Sequence, residues 1–377
     1  MTIRVHALEG HPHVLTPLRF TRAISGRPRL DAPDLDDRGW AMPRPPGWVE
    51  SEARGPMIGI TVGDTIRLRV EREDFPLNAS LFVTASAGGA PQFKIAEPEG
   101  GGALPSDGVF RVEALEDNDT AQTIEIRLGS TEGPILAEAE PHVFEPLTLR
   151  VVPHLCTIHS SASGGSGKTP EVQLSRWFAE ARSILRPAGI HLRLDGMTRQ
   201  SYLGFNRDDL PRRPSGTFSG NEEATLVSQG YVENRCNVWF MRYMEDSKGI
   251  GVNRDNMGSE GFENPGVLIA VDGQWSATQG VEVTDAASRD QVVANDLAHE
   301  IGHFLGLSHA GQDYADDPYH QRNLMHSRNP LSEDVDAGYG PKMRGALVTL
   351  KVYPNEEGDG QAARLRDRLR QPNTAKY

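Results

Sequence analysis

The stretch NDLAHEIGHFLGLSHAG, residues 295–311, constrains this chain more than any other. Its apolar residues recur at helical spacing, yet it also carries His299, Glu300, His303 and His309. His299 and His303 are four residues apart, so they stack on one helical face, where two imidazoles can share one metal ion. Glu300 stands beside the first and can reach a water on that ion. His309 is a harder case. On a continuing helix it would lie ~9 Å beyond His303 and on another face. Gly306 resolves this, because a glycine can take a left-handed conformation, end the helix and turn the chain back. Ser288 and Gln291 form a capping-box pattern that starts the helix at Arg289. Three imidazoles suit zinc and leave a fourth position for water.

The spacing His-Glu-x-x-His-x-x-Gly-x-x-His, written here as HEIGHFLGLSH, resembles the extended zinc motif of the metzincin metallopeptidases. That family also carries a methionine in a tight turn beneath its histidines, and RNLMHS offers Met325 for it. The resemblance spans roughly residues 150–350 and is specific only at 299–309. It implies that His299, His303 and His309 hold Zn2+ and that Glu300 is the general base for a metal-activated water. The chain would then be a zinc-dependent endopeptidase, a hydrolase acting on proteins or peptides. The resemblance also implies that residues 170–188 are the first helix and that GVLIAVDG is the strand before the active helix. KGIGVN, with Gly249, Ile250, Gly251, Val252 and Asn253, would be an edge strand that receives substrate by strand addition. One departure stands out: Ser327 occupies the position where some metzincins place a tyrosine near the metal. The alternative reading is a zinc-binding interaction or toxin-type protein that does not cleave.

The rest of the sequence predicts an α+β chain in several parts. Residues 1–55 are rich in Pro, Arg and Asp and read as an irregular arm. From 56 to 152, MIGITV, TIRLRVE, ASLFVTAS, GVFRVEAL, QTIEIRLG and LTLRVVP alternate with period two between turn residues, which predicts an antiparallel β-sandwich-like domain. Residues 153–354 switch character. PEVQLSRWFAEARSILRPAG has helical spacing between Pro170 and Gly189, and the strands IHLRLDG, CNVWFMRYM, KGIGVN and GVLIAVDG follow, so an α/β domain with a mixed sheet is expected. Residues 355–377 read as a charged tail with a short surface helix. Three roles are open for the β-rich domain: a pro-segment over the cleft, a substrate- or glycan-binding module, or a structural partner.

The net charge of −13 and the lack of a basic stretch argue against nucleic acid as a partner. No apolar run approaches the ~20 residues of a membrane span, and no Sec-type signal is visible at the start. Export by another route, or with a signal missing from this sequence, is favoured over a cytoplasmic site. Cys156 and Cys236 are too few for a disulfide framework; one bridge and two buried thiols both remain open. HLCTIH does not resemble the latency cysteine of some metzincins. Asp296 has two readings, an orienting partner for the histidines or a solvent-facing carboxylate, the second being the default. Asp313, Asp316 and Asp317 form an acidic loop with Ca2+ as the alternative to simple solvation. His320 and His326 read as cleft-rim residues. SGGSGKT resembles a phosphate loop, but Ala162 stands where the pattern needs its first glycine and Pro170 follows directly; a flexible loop is expected. The oligomeric state is not legible.

Overall fold

The computed structural model describes residues 19–22, 35–36, 57–72, 78–86, 88–118, 122–160, 170, 172–205, 222–245, 249–255, 262–276, 280–283, 289–309, 324–325 and 361–371. It is a mixed α+β structure, mostly strand, with several sheets and few helices. The chain divides into two compact units. One takes residues 1–146 with 186–189 and 346–363, and the other takes 147–185, 190–345 and 364–377.

The first unit contains β1 (Arg19–Arg22), β2 (Leu35–Asp36), β3 (Met57–Thr61), β4 (Thr65–Glu71), β5 (Leu81–Ala85), β6 (Phe93–Glu97), β7 (Gly102–Ala103), β8 (Val109–Ala114), β9 (Ile124–Leu128) and β10 (Ile135–Phe144). One sheet runs β1-β4-β8-β6 and a second runs β2-β3-β10-β9-β5-β7. Alternation explains the packing. In β8, Phe110, Val112 and Ala114 are buried while the residues between them are partly exposed. Leu68, Phe110 and Val112 from the first sheet join Ile58, Val83 and Ile126 from the second in one apolar cluster. The sheets are not wholly antiparallel as expected, because β10 pairs β3 in parallel. Periodicity predicts a strand but not the direction of its partner. β10 itself was not expected, since ILAEAEPHVF mixes helix-favouring residues with a proline. Pro141 is tolerated because the β9 ladder stops at Ala139 and only β3 continues past it.

The second unit contains β11 (Leu147–Ser160), α1 (Leu174–Leu185), β12 (Ile190–Leu194), β13 (Thr198–Phe205), α2 (Glu222–Ser228), β14 (Cys236–Glu245), β15 (Gly249–Val252), β16 (Gly266–Ser276), β17 (Gly280–Val283), α3 (Arg289–Phe304) and most of α4 (Gln361–Arg370); the 3-10 turn Arg186–Ala188 that follows α1 counts with the first unit. Its sheet runs β12-β11-β14-β16-β15. The second half of β11 pairs β13, and the end of β16 pairs β17. β15 and β17 run antiparallel to β16 and the other pairings are parallel. LTLRVVP, expected to close the first domain, is the start of β11 and belongs to this unit.

The central strand shows why this sheet is covered on both sides. Phe240 of β14 meets Trp177 and Phe178 of α1 at ring distances of 5.5 and 6.3 Å. Its neighbours Trp239 and Met241 point the other way, into a cluster with Tyr202, Leu226 and Phe262. A strand buried on both faces reads as an unbroken apolar run, as VWFM (238–241) does within β14. Helices α1 and α3 are tied where α3 begins: Trp177 Nε1 donates to Asp290 Oδ1 at 2.8 Å, and Arg176 reaches the other oxygen. A carboxylate in a first helical turn is also favoured by the helix dipole. At the far end, α4 buries Ala362, Leu365, Arg366 and Leu369 along one side and leaves Ala363, Asp367 and Arg370 exposed.

Candidate metal centre

Helix α3 carries His299 and His303 one turn apart, with ring centroids 4.7 Å from each other. The helix then stops in a defined way. Gly306 has φ +88°, its N–H bonds the His303 carbonyl at 2.9 Å, and the Leu307 N–H bonds the Gly302 carbonyl at 2.9 Å. These two bonds are the paired closure of a glycine-terminated helix. Past the turn, His309 Nε2 lies 3.3 Å from His299 Nε2 and 3.1 Å from His303 Nε2. The three histidines offer ligand atoms within 4.8 Å of one another.

The backbone decides which ring nitrogens are available. His299 Nδ1 faces the Leu324 carbonyl, and His303 Nδ1 faces the Leu307 carbonyl at 2.8 Å. A carbonyl can only accept, so each Nδ1 carries the proton and each Nε2 presents a bare lone pair. Both lone pairs aim at His309. Nitrogens this close repel unless a proton or cation lies among them, so the donor set fits a metal ion that takes imidazoles. The electrostatics favour neutral rings. Burial, helped by the nearby His309, holds His303 down at about 4 against the upward pull of the Leu307 carbonyl.

Glu300 is buried beside the triad. Burial raises its pKa well above the usual carboxylate value, the Asp296 carboxylate raises it further, and a hydrogen bond from the Gly251 backbone opposes the shift. Asp296 is not the solvent-facing carboxylate that was the default reading; it is 7% exposed, because α3 is covered all round at this turn, where Asn295, Leu297 and Ala298 are buried as well.

Strand β15 presses on this helix closely enough to require glycine. A Cβ at residue 251 would stand 2.2 Å from the Glu300 carbonyl oxygen and 2.7 Å from His303 Cβ. One at residue 249 would stand 2.6 Å from Glu300 Cγ. Both distances lie well inside van der Waals contact. Ile250 and Val252, the alternate residues, turn into the core. The strand ends at Val252, and Asn253 does not continue it. That side chain is 8% exposed and donates from Nδ2 to the His303 carbonyl at 3.0 Å. Sequence reasoning placed Asn253 on the edge strand and missed this bond. An asparagine directly after a strand was the available signal, since its side chain favours turns.

Met325 lies in a turn with Leu324 and is fully buried under the same helix. A Cβ at residue 302 would stand 2.5 Å from Met325 Sδ. Cys156 and Cys236 are free and fully buried, and burial pushes both thiols far up. The register pairs Val151 with Cys236 and Leu155 with Phe240. The two cysteines are thus about five strand residues apart, roughly 17 Å, beyond any disulfide. Ser288, Ala162, the SGGSGKT segment, Asp313, Asp316, Asp317, His320, His326 and Ser327 lie outside the described residues, as does the side chain of Gln291.

Compared with known proteins, no family model matches this chain and no curated relative does. Among solved structures, the crystal structure of metalloproteinase-II from Bacteroides fragilis is similar at 12% identity, over 75% of this chain and 78% of that one, with a TM-score of 0.26. A likeness that low carries no argument, and the site rests on its own geometry. Among the described residues, no helix is long and apolar enough to cross a membrane.

Proposed function

We propose that this chain is a zinc-dependent endopeptidase of the metzincin kind. The observation that carries the reading is the convergence of three imidazoles, two of them fixed by backbone carbonyls with Nε2 bare. His299, His303 and His309 would hold the ion. When bound there, zinc supplies a Lewis acid and lowers the pKa of a water toward neutrality.

The chain's own groups supply the rest. Glu300 takes the proton of the attacking water and delivers it to the leaving amine. Its burial keeps bulk water from competing for that proton. Among the described strands β15 pairs with β16 alone, and its other side would take an extended peptide, main chain to main chain. The Leu324–Met325 turn serves as the methionine turn, supporting His299 from below through the Leu324 carbonyl.

Metal analysis of the full chain, stripped with chelator and reloaded, tests the first step. The reading expects one zinc per chain in the wild type and a loss of at least an order of magnitude in affinity in His303→Ala, because one of three ligands is gone. A wild-type chain that binds no zinc sinks it.

A further inference from the structure

Asn253 connects two parts of the site through one side chain. Its Oδ1 accepts the Asp255 N–H at 2.9 Å, an Asx turn that stops β15. Its Nδ2 donates to the His303 carbonyl at 3.0 Å. That carbonyl also accepts the Gly306 N–H at 2.9 Å, so the bond lands where α3 ends and the chain turns toward His309. Two residues earlier, Gly251 packs against the Glu300 carbonyl and His303 Cβ. The close contacts of Gly249 and Gly251 and the hydrogen bonds from the Gly251 backbone and Asn253 together set the distance between β15 and the helix. β15 has four residues and, among the described residues, a single neighbouring strand. A short edge strand held on one side frays readily.

We propose that Asn253 is a positioning residue that fixes the height and register of the edge strand over the histidine triad. This rests on the reading of β15 as the strand that receives the peptide. A substrate paired along β15 binds through that strand's backbone, so a strand left to fray must be ordered before it can pair and holds the peptide less tightly. Asparagine suits the role because it offers a donor and an acceptor on one short stem. Aspartate keeps the acceptor that closes the turn and lacks the donor that reaches His303.

The test compares the full-length wild type with Asn253→Asp. Asn253→Ser repeats it with a turn-forming residue that adds no charge. Zinc content, peptide kinetics and amide exchange by mass spectrometry are read on each. The proposal expects unchanged zinc content, KM raised about tenfold with kcat within about threefold, and exchange over residues 249–253 faster by about tenfold. Exchange and KM equal to wild type in both variants overturn it. So does a kcat that falls in proportion to lost zinc, which would make Asn253 a support of the metal site alone. If the wild type cleaves no peptide, the endopeptidase reading fails by itself. Exchange then still decides whether Asn253 holds the strand, and an unchanged rate there overturns the positioning role.

Discussion

Gly302 and Met325 face each other so closely that a side chain at 302 would force the methionine to move: an added Cβ would lie 2.5 Å from its sulfur. Met325 is fully buried, and Gly302 sits in α3 between Glu300 and His303. The helix and the turn beneath it are thus matched atom to atom at the centre of the site. Gly302→Ala should cost about 1–3 kcal/mol through overpacking, outweighing the gain in helix propensity of about 1 kcal/mol. Urea denaturation of the zinc-free chain measures this. A variant as stable as wild type would mean that the turn gives way freely.

The two glycines of β15 should behave differently. At residue 251 the obstacle is the Glu300 backbone oxygen at 2.2 Å, which cannot swing aside, whereas at 249 it is the Glu300 side chain at 2.6 Å, which can. Gly251→Ala should lower stability by about 2 kcal/mol or more. Gly249→Ala should cost under about 1 kcal/mol but move Glu300 and reduce kcat by at least tenfold. Denaturation and steady-state kinetics on both variants separate the effects, and equal stability losses would contradict the assignment.

Gly306 has open space around its Cβ position and a φ of +88°. An alanine there meets no neighbour but costs about 1–2 kcal/mol in backbone strain. Because this turn carries the chain to His309, zinc affinity should drop by about tenfold, as competition with a chelator would show. Unchanged affinity would mean that His309 reaches the triad without the turn.

His154 gives a pH dependence separate from the metal centre. It is fully buried and stacked on Trp239 at 4.8 Å. Its Nε2–H donates to Asn237 Oδ1 at 2.9 Å, and its Nδ1 accepts from the Thr198 hydroxyl at 2.6 Å. Burial lowers its pKa from 6.5, with the Asn237 bond opposing. The unfolded chain therefore takes a proton before the folded one. The stability contributed by the neutral ring is whole above 6.5 and is lost as pH falls through the folded value. His303 is shifted the same way, so the comparison is with His154→Gln in the zinc-loaded chain. From about pH 7.5 to about pH 5, the wild type should lose more stability than the variant. Parallel losses would contradict this.

Cys156 and Cys236 are free, fully buried and pushed toward the unreactive thiol form. Neither should react with a thiol reagent in the native chain, both should react in denaturant, and a reductant should leave the denaturation midpoint unchanged. Rapid labelling of the native chain would place a thiol at the surface.

What the sequence discloses here is mostly local. The meeting of His299, His303 and His309 depends on one helical turn and one glycine, so spacing alone describes it. The inward bond of Asn253 depends on β15 packing against α3, a contact about fifty residues apart in the chain, and no periodicity encodes that. FKIAE and TRQSYLGF form β6 and β13, yet charges and polar residues mask their alternation. EEATLVS forms α2, too short to show a helical stripe. β10 was hidden by alanine, glutamate and proline.

The central claim is that Glu300 beside the three histidines performs peptide hydrolysis. Zinc-loaded wild type and Glu300→Gln, presented with a diverse peptide library read by mass spectrometry, test it most directly. The account predicts cuts by the wild type and a loss of at least about 10²-fold in the variant at equal zinc content. Equal cleavage by both would remove Glu300 from the reaction, and silence from a metal-replete wild type would contradict the endopeptidase reading itself.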